Sequence, residues 1–195
     1  MSGLIEHPIR IVPADPAAAE SFARFCQPIY ETVYPNSKYG MLPEHYSLDI
    51  FLTDDTLNYF RKLLTTSDSH GAWLAYSGTE IVGSVAITDE GDFVEARCFY
   101  VRQDLQGTGL GRRLWNEILK WWDGSKPLRV EVAETNERTI AIYERWGFRR
   151  IEELGVRLRH WPEWPDGVQN GFIFLAAPSK AEHLECFNRR TSSVA

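Results

Sequence analysis

Three glycines within five residues, Gly107, Gly109 and Gly111, fall where a strand candidate at 93–101 gives way to an amphipathic helix beginning near Leu110. Glycine reaches backbone angles closed to other residues and lets the chain approach a ligand closely. The first N–H groups of a helix have no internal partner and lie at the positive end of its dipole. Together these make Gln106-Gly107-Thr108-Gly109-Leu110-Gly111-Arg112 an anion site suited to a pyrophosphate, with Arg112 and Arg113 adding positive charge nearby. A glycine-rich turn that holds no ligand is the plain alternative.

Spacing narrows the ligand class. A P-loop needs a lysine after its last glycine, and none is present. A dinucleotide fingerprint needs a third glycine, but the position is Arg112 when read from Gly107 and Leu114 when read from Gly109. Glu131 lies 20 residues past Gly111, where a ribose-binding acid would fall, but one feature of two does not make that motif.

The rest of the chain gives the loop a setting. A short strand at 8–12 precedes a helix at 17–33, with Phe22, Phe25, Cys26, Ile29 and Val33 on one face and Pro28 expected to bend or split it. A tyrosine-bearing loop covers 34–46, and a second helix is expected over 48–64 on the spacing of Leu57, Phe60 and Leu64. Strands at 72–76 and 80–88 form a hairpin around Ser77-Gly78. After the loop, Leu110, Leu114, Ile118 and Trp121 mark a helix. A strand at 128–132 and a helix at 136–146 follow, the helix stopped by Gly147. Extended segments at 148–152, 156–159 and 171–176 come next, the last two separated by a turn-rich loop carrying Trp161 and Trp164. Residues 179–195 are expected as a tail, helical to Phe187 and frayed after it. This order reads as a mixed α+β sheet flanked by helices.

Composition excludes several classes. A formal net charge of −6 disfavours nucleic-acid binding and would draw a cationic partner. Three cysteines, Cys26, Cys98 and Cys186, give no disulfide framework, and the five histidines are scattered, so no metal site is expected and a cytoplasmic setting fits. No apolar run reaches the ~18 residues of a membrane span, and Met1–Arg10 lacks a signal-peptide layout.

The loop written Gln106-Gly-Thr-Gly109-Leu-Gly111 resembles the coenzyme A pyrophosphate loop of the GNAT acyltransferases, Gln/Arg-x-x-Gly-x-Gly/Ala between a strand and a helix. A second block, Asn136, Ala141, Tyr143 and Gly147-Phe148, is similar to that family's Asn-x-x-Ala-x-x-Leu/Phe-Tyr-x-x-x-Gly-Phe, with Ala141 later in the helix than the family's alanine. The resemblance covers residues 72–178 well and 8–71 in outline. It implies a GNAT-like, mostly antiparallel sheet of six to seven strands flanked by helices, in one domain over 1–178.

It also implies a function: transfer of the acetyl group of acetyl-coenzyme A to a primary amine of a small molecule or peptide, by direct attack and without a metal. A non-catalytic acyl-coenzyme A sensor is the alternative. On this resemblance the backbone of Gln106–Arg112 holds the pyrophosphate, and the backbone of Phe99, Tyr100 and Val101 pairs with the pantetheine arm. Tyr143 protonates the leaving thiolate, and Asn136 caps its helix and touches the arm. Glu95 is expected as the base, eleven residues before Gln106 and sharing a face with Arg97 and Phe99. The acceptor is expected between the tyrosines, Tyr30 and Tyr34 first, and Trp161, a layout that loosely resembles polyamine-acetylating members. Family members are often dimers, and no residue here selects an interface.

Overall fold

Residues 8–189 are described by the structure, a computed structural model. β1 (Ile9–Pro13) leads to α1 (Ala19–Val33), which runs through Pro28 in one piece. Of the bend or split expected at Pro28, the split does not occur. Only one backbone hydrogen bond is lost at Pro28, while the face bearing Phe22, Ala23, Phe25 and Cys26 stays buried. The helix expected over 48–64 is instead two, α2 (Leu48–Phe51) and α3 (Asp54–Leu64). Thr53 divides them: its backbone is extended and its Oγ1 accepts from Thr56 N–H at 3.3 Å, an N-cap followed by Asp54 and Asp55 at the positive helix end.

The sheet continues with the meander β2 (His70–Ser77), β3 (Glu80–Asp89) and β4 (Val94–Val101). α4 (Leu110–Trp121), β5 (Leu128–Ala133), α5 (Glu137–Arg145), the short β6 (Arg149–Arg150) and β7 (Arg157–Arg159), β8 (Asn170–Ala177) and α6 (Lys180–Asn188) complete it. Eight strands form one sheet in the order β1-β2-β3-β4-β5-β8-β6, with β7 also on β8. Every pairing is antiparallel except β4 with β5. One face packs on α4, α5 and α6 through Trp115, Ile118, Trp122 and Val130. The other packs on α1, α2 and α3 through Phe22, Phe51 and Phe60. No helix among the described residues is long and apolar enough to cross a membrane.

The parallel pair is where the sheet opens. β4 and β5 pair only over Val94–Ala96 and Leu128–Val130, and then part. At the same level β4 carries one residue too many for β3: Ala86 faces Arg97, yet Ser84 faces Tyr100. Cys98 sits in this bulge at φ 48°, and its carbonyl accepts from Ser84 Oγ at 2.7 Å. A bulge bends its strand and shifts the alternation of side chains by one. The expectation that Glu95 shares a face with Phe99 fails for this reason. Phe99 and Val101 pack in the core under α4, whereas Cys98 and Tyr100 pack toward α1 and α3.

α6 is docked into the core, with His183 0% and Phe187 2% exposed. Trp115 Nε1–H donates to His183 Nε2 at 2.8 Å, so His183 carries its proton on Nδ1 and donates it to Trp146 O at 2.7 Å. Burial lowers the imidazole pKa to about 4. A histidine in an unfolded chain titrates near 6.5. Between those values the unfolded chain binds the proton and the folded one does not, so the contribution is complete above pH 6.5 and lost as pH falls. It amounts to about 3 kcal/mol by pH 4. Urea unfolding of wild type and His183→Gln between pH 7 and 4.5 tests this: the variant loses that part of the pH dependence, and identical slopes would rule the account out.

Candidate active site

The glycine run begins where β4 ends. Gly107 and Gly109 have φ of 83° and 90°, which glycine adopts without strain. A Cβ built on either meets nothing within 4 Å, so the loop borders open space rather than packed protein. Gly111 differs: its Cβ would stand 3.4 Å from the Phe99 ring, and its place is the close approach of α4 to β4. Thr108 N–H turns back to Leu105 O, and Arg113 N–H to Gly109 O. The N–H groups of Gly107, Gly109, Leu110, Gly111 and Arg112 have no acceptor among the described residues. They form a row of free donors at the positive end of α4.

The two arginines contribute less than expected. The Arg112 guanidinium donates to Phe187 O at 2.7 Å and lies 4.0 Å from the centre of the Phe187 ring. Arg113 donates to Ile9 O at 2.8 Å. Both side chains tie α4 to its neighbours, so the loop offers anions its backbone and dipole, and Arg112 belongs to it through its N–H alone.

Beside the loop lies the gap between β4 and β5. Arg102 N–H donates to Val82 O at 3.0 Å, and alternation turns the peptide groups of Val101 and Phe99 the other way, toward β5, where no strand pairs with them. Gln106 Nε2 reaches Val101 O at 3.3 Å. The Phe99 peptide and the Val101 N–H are left facing the gap. Tyr100 turns its own peptide to β3, where it pairs with Ser84. Tyr34, Cys98, Glu131, Asn136 and Tyr143 line the same cleft. Asn136 Oδ1 accepts from Thr139 N–H at 3.1 Å, the expected cap.

Tyr143 is buried among the rings of Trp115 and Phe148, at 5.7 and 5.3 Å, with Phe99 at 6.5 Å. Its hydroxyl has no hydrogen-bond partner among the described residues. Burial raises its pKa above the ordinary phenol value, so it is protonated at neutral pH. Burial likewise pushes the Cys98 thiol up to about 12. On the α1 side, Tyr100 Oη donates to Tyr30 Oη at 3.0 Å, so Tyr34 is the donor in its 3.0 Å contact with Tyr100. Trp161 lies 6.1 Å from the Tyr30 ring and stacks on Trp164 at 5.2 Å and 11°. The tyrosines and tryptophans expected around the acceptor are thus one aromatic wall.

The two carboxylates on this side have different settings. Glu95 is 5% exposed, ion-paired with Arg97, which also holds Glu90 at 2.7 Å, and it does not line the cleft. Glu131 does line it. The Arg159 guanidinium grips both Glu131 oxygens, at 2.9 and 2.6 Å. Sequence reasoning weighed Glu131 only as a ribose partner; the available signal was its alternation with Val130 and Val132 on the strand next to β4. No group of three metal-ligating side chains occurs among the described residues.

A sheet parted beside a glycine loop of free N–H groups is the arrangement that the resemblance in the sequence implies. A family model described as the acetyltransferase (GNAT) family matches residues 37–148, more than half of the chain, and the chain belongs to that family. An uncharacterised protein of Mycobacterium leprae (strain TN) is 36% identical over 92 residues, 45% of this chain and 24% of that protein, so the chain spans about a quarter of that relative's length. A GNAT-family acetyltransferase of Streptococcus pneumoniae has the same fold, with TM-score 0.59 and 21% identity over 87% of this chain and 98% of that one. So does the spermidine N-acetyltransferase of Vibrio cholerae in complex with coenzyme A and spermine, with TM-score 0.58 and 13% identity over 90% and 98%.

Proposed function

We propose that this protein transfers an acetyl group from acetyl-coenzyme A to a primary amine by direct attack. The observation that carries the reading is the cleft itself: unpaired β4 peptides lie next to free N–H groups, with a buried phenol and a carboxylate on the walls. The N–H groups of Gly107 and of Gly109 to Arg112 bind the pyrophosphate. The carbonyl of Phe99 and the N–H of Val101 pair with the amides of the pantetheine arm, and the Phe99 N–H stabilises the developing oxyanion. Glu131 accepts a proton from the acceptor's ammonium so that the free amine attacks the thioester carbonyl, and Tyr143 gives its proton to the thiolate that leaves as the carbon–sulfur bond breaks. Cys98, held as a thiol by burial, is a poor nucleophile, which favours direct attack over an acyl-cysteine.

Isothermal titration with acetyl-coenzyme A, using ATP and NAD as controls, tests the cofactor, and an amine panel then tests the transfer. Micromolar binding of acetyl-coenzyme A alone supports the reading; preference for a control removes it. The base is tested by variants. Glu131→Gln lowers kcat/KM by at least about tenfold at neutral pH, with activity recovering as pH rises and the amine deprotonates unaided. Glu95→Gln leaves kcat/KM within about twofold, and the reverse ranking restores Glu95 as the base.

A further inference from the structure

The acceptor side of the sheet carries more positive charge than a chain of net −6 suggests. Residues paired directly across strands share a face, so Glu95 stands with Arg129, Glu131 with Phe174, and Arg157 with Phe172. Steps of two residues add Arg97 on β4 and Arg159 on β7 to that face. Two of these four arginines are neutralised: Arg97 by Glu95 and Glu90, and Arg159 by Glu131.

Arg129 and Arg157 are not. No carboxylate lies within ion-pair distance of either among the described residues. Both guanidiniums rest against the same ring, Phe174, at 5.1 and 4.9 Å from its centre, and Arg129 also lies 3.9 Å from the centre of Phe93. The Nε of Arg129 is buried and has no hydrogen-bond partner. A buried donor left without an acceptor is costly, and an anion supplied by a ligand would satisfy it. Stacking on rings holds the guanidinium planes in place, which lowers the cost of forming a forked contact with a carboxylate.

Distance along the strand connects this pair to the cleft. Arg129 is two residues from Glu131 on β5, about 7 Å at the ordinary rise of a strand. A small molecule with its amine at Glu131 could therefore place a second group beside Arg129, and Arg157 meets the same Phe174 ring from β7.

We propose that Arg129 and Arg157 form an anion subsite, and that the acetyl acceptor is a small amine bearing a carboxylate. The proposal rests on the transferase reading above. It departs from the cationic partner that net charge alone suggests, because two arginines on the acceptor face have no carboxylate partner among the described residues.

The test uses product pairs that differ in the carboxylate alone, titrated onto protein saturated with coenzyme A. One pair is N-acetylphenylalanine and N-acetylphenethylamine; the other is 6-acetamidohexanoate and N-hexylacetamide. Wild type binds the carboxylate member of at least one pair about tenfold or more tightly than its partner. Arg129→Met with Arg157→Met, which keeps unbranched stems on Phe174, abolishes the preference and leaves acetyl-coenzyme A affinity unchanged. Equal binding within both pairs, or a preference that survives in the double variant, overturns the subsite while intact acetyl-coenzyme A binding leaves the transferase reading standing. Failure of acetyl-coenzyme A to bind wild type removes that reading, and this proposal with it.

Discussion

Tyr143→Phe lowers kcat by about a hundredfold and leaves acetyl-coenzyme A affinity and folding stability nearly unchanged. A positioned acid contributes typically 10²–10⁴-fold, and the low end is expected because water can protonate a thiolate leaving group slowly. The structural side of the expectation follows from the packing. Phe99, Trp115 and Phe148 surround the ring, and phenylalanine fills the same space. The hydroxyl bonds to no other described residue, so removing it orphans no partner. Burial raises the phenol's pKa, so the group enters the reaction protonated and can donate a hydrogen bond or proton to the thiolate but cannot act as a base. Steady-state kcat and acetyl-coenzyme A titration on the same preparation separate the two roles. A kcat unchanged within twofold would reduce Tyr143 to an anchor of α5 on the sheet.

The parts of this site legible in the sequence are those fixed by the backbone. Gly107 and Gly109 were readable because only glycine takes their φ without strain, and Asn136 because an amide before a helical run caps it. The face that Glu95 takes relative to Phe99 was not readable, because it depends on a bulge with no sequence mark. Its pivot is Cys98, a residue type that gives no hint of φ 48°. One extra residue there moves Phe99 to the opposite face from Glu95, and any argument from alternation crosses that point unaware. The fates of Arg112 and Arg113 were hidden for another reason. Their acceptors, Phe187 O and Ile9 O, lie 75 and 104 residues away in the chain, so only the docking of α6 and β1 reveals them. The break at Thr53 was missed because the helix rested on Leu57, Phe60 and Leu64, all of which lie in α3 and say nothing of the residues before Asp54. The unpaired arginines depend on register across β5, β8 and β7, which no single strand's pattern contains.

Gly109→Asp weakens acetyl-coenzyme A binding by at least about a hundredfold without unfolding the protein. Gly109 is the N-cap of α4 at φ 90°, and aspartate is among the residues that enter the left-handed region most readily. The strain costs about 1–2 kcal/mol, and a side chain there meets no protein atom within 4 Å. Against a domain stability of roughly 5–15 kcal/mol this lowers the melting temperature by only a few degrees. The effect on the ligand is larger, because the new carboxylate acts twice. It accepts from the N–H groups that would have held the pyrophosphate, and it sets a negative charge against another. Two like charges 4 Å apart near a protein surface repel by up to about 4 kcal/mol, and solvent at an exposed loop reduces that figure. Half of it already approaches thirtyfold, and loss of the donors supplies the rest. Gly109→Ala separates the two causes, since it brings the strain without the charge and should cost about tenfold or less. Arg112 and Arg113 are bonded to Phe187 O and Ile9 O, so neither arginine of this helix start compensates. Titration with acetyl-coenzyme A, beside a thermal melt of each variant, reads both quantities, and an affinity unchanged in a folded Gly109→Asp would take the pyrophosphate away from this loop.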